Sequence, residues 1–154
     1  MGLLQPTRAR GDDMTTDGRT KMINGHCECG RIRYEIDADI TDLSHCHCSQ
    51  CRRLHGAAYA TFAGVSRDKF RYISGAADLK TYASSATSDR VFCAECGSNI
   101  LVDFKPEPET LYVCMGTVDG NPPCPPGYHQ FVGSKAEWHE ITDDLKQYEI
   151  WPPD

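Results

Sequence analysis

Three thiols, Cys46, Cys48 and Cys51, fall within six consecutive positions of the stretch Ser-His-Cys-His-Cys-Ser-Gln-Cys-Arg-Arg, residues 44–53. Soft ligands this close together can occupy one hemisphere of a zinc ion and leave a coordination position free. That is the ligand count of a catalytic zinc, whereas a structural zinc is closed by four protein ligands. The role of the triplet therefore depends on where the other cysteines go.

Four of them come in two pairs. Cys27 and Cys29 flank Glu28 and are followed by Gly30; Cys93 and Cys96 precede Gly97. Cys-X-X-Cys-Gly is the knuckle of zinc ribbons, in which a turn brings two sulfurs together and the glycine takes the positive φ required after the second ligand. A thioredoxin-like redox pair would need a βαβ setting, which the surrounding pattern lacks. The period of an extended segment puts Cys27 and Cys29 on one face. Joined, the two pairs make a closed four-sulfur site and leave Cys46, Cys48 and Cys51 with an open position. Structural zinc contributes about 10–16 kcal/mol in apparent binding, comparable to the stability of a whole domain, so loss of one of the four ligands should unfold the chain.

The alternative division closes the triplet with a fourth protein ligand, from His45, His47, His55, Cys114 or Cys124. His47 alternates with its cysteine neighbours and should point away from them. His45 suits a supporting hydrogen bond. Cys114 lies in an apolar strand and reads as core, and Cys124 sits among prolines. His129 and His139 are candidates for acid–base work only because histidine titrates in the right range.

The elements that must position these thiols follow from periodicity. Ile32, Tyr34 and Ile36 alternate with Arg31, Arg33 and Glu35, the pattern of a half-buried strand. Strand-like segments recur at 58–63, 70–74, 79–83, 90–93, 100–104 and 111–115, separated by turn compositions. This spacing predicts a mainly β, antiparallel domain. Residues 49–55 read as a short helix with Ser49 as N-cap, its N–H groups aimed back at the thiols and Arg52 and Arg53 adding positive charge. A capped turn is expected around Trp138.

The whole chain of 154 residues is the size of one domain. A disordered tail is expected over 1–20, a single zinc-binding domain over 21–150 and a short C-terminal tail over 151–154. With 40% hydrophobic and 25% charged residues the balance is that of a soluble protein. The start lacks the apolar core of a secretory signal, and no apolar run could span a bilayer, so a cytoplasmic protein without a membrane partner is expected. A net charge of -6 has the wrong sign for general attraction to nucleic acid. Nine cysteines is an odd number, and seven sit in three clusters, which favours reduced metal ligands over a disulfide framework.

Taken together, Gly25-His26-Cys27-Glu28-Cys29-Gly30, Cys46-His47-Cys48-Ser49-Gln50-Cys51-Arg52-Arg53 and Phe92-Cys93-Ala94-Glu95-Cys96-Gly97 resemble the glutathione-dependent formaldehyde-activating enzyme family, which includes the centromere protein V domain. The similarity runs on through Arg33-Tyr34-Glu35, Tyr82, Arg90, His129 and Trp138; Gly116-Thr117-Val118-Asp119-Gly120 stands where the family pattern reads Gly-Thr-Leu-Asp-Asp. The resemblance implies several coiled antiparallel β-sheets with a zinc-ribbon-like knuckle and few short helices. It also implies two zinc ions: a structural one on Cys27, Cys29, Cys93 and Cys96, and an active-site one on Cys46, Cys48 and Cys51. The activity it implies is that of a carbon–sulfur lyase adding the glutathione thiol to formaldehyde or a related small carbonyl, as in S-(hydroxymethyl)glutathione synthase. A different expectation, kept beside it, is a non-enzymatic zinc module that contacts a protein partner.

Overall fold

The alternation at Ile32, Tyr34 and Ile36 does produce a strand, and it brings all three side chains to within 1% of full burial. The computed structural model describes residues 22–153, so the expected N-terminal tail lies outside the described residues. In chain order the elements are β1 (Ile23–His26), β2 (Arg33–Ile36), β3 (Asp42–Cys46), α1 (Ser49–His55), β4 (Ala60–Ser66), β5 (Phe70–Ser74), β6 (Leu79–Ala83), β7 (Ser88–Cys93), β8 (Asn99–Phe104), β9 (Thr110–Cys114), β10 (Tyr128–Gln130) and β11 (Lys146–Tyr148). The protein is mainly β.

Two sheets result. Strands β1, β2 and β5 form an antiparallel three-stranded sheet, and the other eight are ordered β11-β10-β3-β4-β9-β8-β7-β6. Pairing is antiparallel except at one end, where β10 runs parallel to both β3 and β11. The sequence did not mark β3, β10 or β11, which are short; β10 is buried by its neighbours and β11 lies mostly exposed at the sheet edge.

The large sheet has a different core on each face, and period-2 alternation sorts the side chains between them. From β4 and β9, Ala63, Val65, Leu111 and Val113 join Ile32, Tyr34 and Ile36 under the small sheet. Ala60, Phe62 and Cys114 face the other way, with Cys46, Cys51 and Val102. Between β7 and β8 the register shifts, leaving Ile100 between the Val91↔Leu101 and Phe92↔Asn99 pairs. This bulge lets Ile100 and Leu101 both serve the first core while Val102 serves the second. A fully buried residue such as Ile100 contributes about 1.5–3 kcal/mol through its transfer from water.

Gly25 has an unexpected reason to be glycine. Its φ is ordinary, but a Cβ there would lie 2.1 Å from the Tyr34 ring. That approach lets Tyr34 Oη reach Thr117 Oγ1 at 2.8 Å, tying the Gly116-Thr117-Val118-Asp119-Gly120 loop to the small sheet. The same loop bonds β1 through Asp119 N–H and Asn24 C=O, 2.8 Å. Among the described residues no helix is long and apolar enough to cross a membrane.

Candidate metal centres and an aromatic cleft

The two thiol groups lie on opposite faces of the large sheet. Cys27 and Cys93 belong to the core under the small sheet, Cys46 and Cys51 to the core on the far side. Strand β7 serves both sites, because Arg90 and Cys93 are an odd number of residues apart and project from opposite faces.

The sulfurs of Cys27, Cys29, Cys93 and Cys96 all lie within 4.8 Å of one another. Cys27 and Cys29 are 3.4 Å apart and Cys29 and Cys93 3.8 Å, close to the S···S edge of about 3.8 Å that a tetrahedron of 2.3 Å zinc–sulfur bonds would have. The donor set therefore fits a metal ion. Both halves are turns. Strand β1 ends at His26, so Cys27 and Cys29 sit in a turn and not in the extended segment expected for them. Its N–H groups are used in a pattern the second turn repeats: Cys27 N–H bonds Ile32 C=O at 3.1 Å, and Cys93 N–H bonds Ser98 C=O at 3.0 Å. Gly30 and Gly97 take φ of 73° and 76°, which is why each pair is followed by glycine. The Ser98 hydroxyl, 3.3 Å from the Cys96 sulfur, with the Ser98 and Cys29 N–H groups, pulls that thiol down to about 5.

The second group is assembled from a strand, a two-residue link and a helix. Cys46 ends β3, held between β4 and β10. His47 N–H continues the pairing to Gln130 C=O at 2.9 Å. Cys48, and not Ser49, is the N-cap of α1: its sulfur accepts the Cys51 N–H at 3.3 Å. Cys51 then follows in the first turn. The three sulfurs lie within 4.8 Å of one another. Hydrogen bonds from the Cys46 and Cys51 thiols, with the Cys51 and Gln50 N–H groups, hold Cys48 far below the usual thiol range.

The positive charge beside these thiols comes from Arg90 on β7, not from Arg52 or Arg53. Arg90 is 7% exposed, and its guanidinium bonds Ser84 Oγ at 3.1 Å, Gln50 Oε1 at 3.0 Å and Cys51 Sγ at 3.7 Å. It also lies 6.0 Å from the centre of the Phe62 ring. Arg52 instead spans backbone carbonyls, His47 at 3.3 Å and Ser134 at 3.1 Å, and so closes the loop around the helix. Arg90 belongs to the family resemblance, but no local spacing tied it to the thiols, since the motif that contains them is almost forty residues away.

None of the other candidate ligands joins the sulfurs. His47 points away from them, fully buried, with Nε2 2.7 Å from His129 Nδ1. His129 Nε2 reaches both oxygens of Asp143 at 3.2 Å. His45 Nδ1 bonds Thr61 Oγ1 at 2.9 Å. His139 stacks on His47 at 5.8 Å between ring centres, and His55 meets the edge of Phe62. Cys114 is core beside the site, and burial pushes its thiol up to about 12. Cys124 is exposed and bonds Pro122 C=O.

The Cys46, Cys48 and Cys51 side opens into a cleft of about 210 Å³. Phe62, Val102, Phe104, Phe131 and Trp151 line it, with Arg90 and Gln130 among its polar residues. Trp151, expected in a C-terminal tail, packs edge-on against Phe131 at 4.7 Å. Around Trp138, at 72% exposure, the chain makes the expected turn, closed by His139 N–H to Ala136 C=O at 3.1 Å.

Residues 22–134 match the sequence profile of the glutathione-dependent formaldehyde-activating enzymes. A protein of Schizosaccharomyces pombe named as an uncharacterized lyase is 29% identical over 76 residues, which are 49% of this chain and 53% of that one. The match thus spans about half the length of that relative. A crystal structure of a Rhodobacter sphaeroides protein is similar with a TM-score of 0.56 and 28% identity, covering 65% of this chain and 91% of that chain.

Proposed function

Because the chain belongs to the glutathione-dependent formaldehyde-activating enzyme family, we propose that it is a carbon–sulfur lyase that joins a thiol, glutathione, to formaldehyde or a related small aldehyde and separates them again. The observation that carries this reading is the convergence of the Cys46, Cys48 and Cys51 sulfurs at the wall of a cleft. A set of three thiols facing a cleft has room for a ligand from solution, which the four-thiol set does not.

Two zinc ions are part of the reading. Cys27, Cys29, Cys93 and Cys96 would hold the structural one, and Cys46, Cys48 and Cys51 the active-site one. Zinc, when bound there, supplies an open coordination position and keeps thiols deprotonated. The protein's own residues would do the rest. Three thiolates leave the site net negative, which opposes an anionic ligand, and Arg90 offsets this from 3.7 Å. Gln50 fixes the guanidinium by accepting from it and donating its own amide to Ser84 C=O at 2.8 Å. Cys46 and Cys51 are held rigid by burial, so the sulfur positions are set before any ligand arrives.

In the reaction the thiol sulfur forms a bond to the carbonyl carbon, the C=O π pair becomes an alcohol oxygen, and the thiol proton ends on that oxygen. Cleavage is the reverse, and no electrons are gained or lost. A cytoplasmic location belongs to the same proposal, since a reducing compartment keeps clustered thiols free.

Metal counting by native mass spectrometry tests the proposal. Two zinc ions per chain are expected, with glutathione adding to the protein or shifting one metal. Two ions indifferent to glutathione would reject it.

A further inference from the structure

The cleft beside Cys46, Cys48 and Cys51 is built for more than formaldehyde. Formaldehyde has no side group to bury, yet Phe62, Phe104, Phe131 and Trp151 present aromatic surface to a space of about 210 Å³. Two features indicate that this surface is held in place at some cost. Phe131 is the one non-glycine residue with positive φ among those described, at 57°. For a bulky side chain that conformation is unfavourable. It sets the Phe131 ring against Trp151, which remains 58% exposed and is also 6.1 Å from the Phe104 ring. An exposed tryptophan fixed by two aromatic rings at the mouth of a cleft is a wall for a ligand, not part of a core.

The second observation is polar. Gln130 lines the same cleft, is 7% exposed, and its Oε1 has no hydrogen-bond partner. Oε1 is shut off from solvent as well as unpaired, which is costly, so the amide gains by turning Oε1 toward the cleft when a ligand brings a donor. Addition of a thiol to an aldehyde creates one such donor, the new hydroxyl.

The charge of the cleft sorts the two halves of the substrate. Glutathione carries two carboxylates, while the one cation lining the cleft among the described residues, Arg90, is already engaged with Ser84, Gln50 and Cys51. The charged thiol half therefore belongs outside, and the group that fills the cleft is the substituent on the carbonyl carbon.

Resting on the lyase reading above, we propose that the carbonyl substrate is an apolar aldehyde carrying an aromatic ring or short alkyl chain, with its substituent against Trp151 and Phe131 and its adduct hydroxyl donating to Gln130 Oε1 once the amide has turned toward the cleft. The volume suits a single ring, being below the roughly 300–1,000 Å³ typical of sites for larger ligands. The thiol sulfur bonds the aldehyde carbon, and the proton it gives up completes the hydroxyl.

The test uses the full zinc-loaded chain and two stable thioethers that mimic the adducts, S-(2-phenylethyl)glutathione and S-methylglutathione, with calorimetric titration as the first readout. The phenylethyl compound should bind at least about tenfold tighter, in line with the discrimination that even a methylene can give. Trp151→Ala should remove most of that preference; the side chain is exposed, so the fold survives. In the second readout, exchange between glutathione and either phenylacetaldehyde or formaldehyde, Trp151→Ala should lower kcat/KM for phenylacetaldehyde about tenfold more than for formaldehyde. Gln130→Leu should lower kcat/KM for both aldehydes and leave binding of the thioethers, which have no hydroxyl, unaltered. Equal binding of the two thioethers, or a preference indifferent to Trp151→Ala, overturns the proposal. If the thioethers behave as expected and neither aldehyde exchanges, the lyase reading fails and the assignment of the cleft to an apolar substituent stands.

Discussion

The Arg90 guanidinium lies 3.7 Å from the sulfur of Cys51, although the two residues are 39 positions apart and reach each other from a strand and a helix. It is the buried cation that the three neighbouring thiols require.

Removing this charge should affect the anionic ligand more than the fold of the thiol site. Arg90→Gln is expected to weaken glutathione binding about tenfold or more, in keeping with the roughly 1.5–3 kcal/mol of a hydrogen bond to a charged group. Arg90→Lys should recover only part of this, because a single ammonium cannot reach Ser84, Gln50 and Cys51 together. Calorimetric titration of the two variants with glutathione checks the order.

The two thiol groups should respond oppositely to single substitutions. Cys27→Ser removes one of four ligands that join β1 to β7, and the loss is on the order of the whole stability of the domain. The expected result is an unfolded or strongly destabilised chain in circular dichroism. Cys51→Ser should keep the fold, reduce the metal count from about two to about one and abolish the response to glutathione. A Cys51→Ser protein as unfolded as Cys27→Ser would show that the ligand division is wrong.

His129→Phe leaves the buried His47 Nε2 without its 2.7 Å partner, and His47 Nδ1 has none already. A loss of about 1–3 kcal/mol is expected in urea unfolding, with metal content unchanged. Asp143→Asn, at a half-exposed side chain, should cost no more than about 0.5 kcal/mol.

His55 predicts a pH dependence. Burial, with Arg90 nearby, lowers its pKa from the ordinary value of 6.5. The unfolded chain therefore binds more protons than the native one between that value and the lower native pKa, and stability rises with pH across the window. The contribution is present above about pH 6.5 and is lost as pH falls through the native pKa. His55→Gln should flatten the slope of stability against pH between about 7 and 5, measured by urea unfolding at a series of pH values.

Much of the fold was legible because β2 announces itself by alternation and β4 to β9 by short strand-like runs between turn compositions, both of which are local signals. β10 and β11 were not, since a three-residue strand such as Tyr128–Gln130 owes its existence to the β3 backbone beside it. The helix N-cap was placed one residue late for a related reason: a serine is the usual cap, but the Cys48 sulfur is already committed to the Cys51 N–H.

The sequence by itself determined which thiols could act together. Cys27 with Cys29, Cys93 with Cys96, and Cys46 with Cys48 and Cys51 are each brought together by a local turn, and local geometry is encoded in local spacing. What only the tertiary structure decided is what stands around them. Arg90, Gln130, Phe131 and Trp151 come from β7, from β10 and the residue after it, and from the chain beyond β11, and only sheet pairing and the packing of the second core carry them to one cleft. No spacing rule joins residues that the chain separates by a hundred positions; the physical link between them is the sheet.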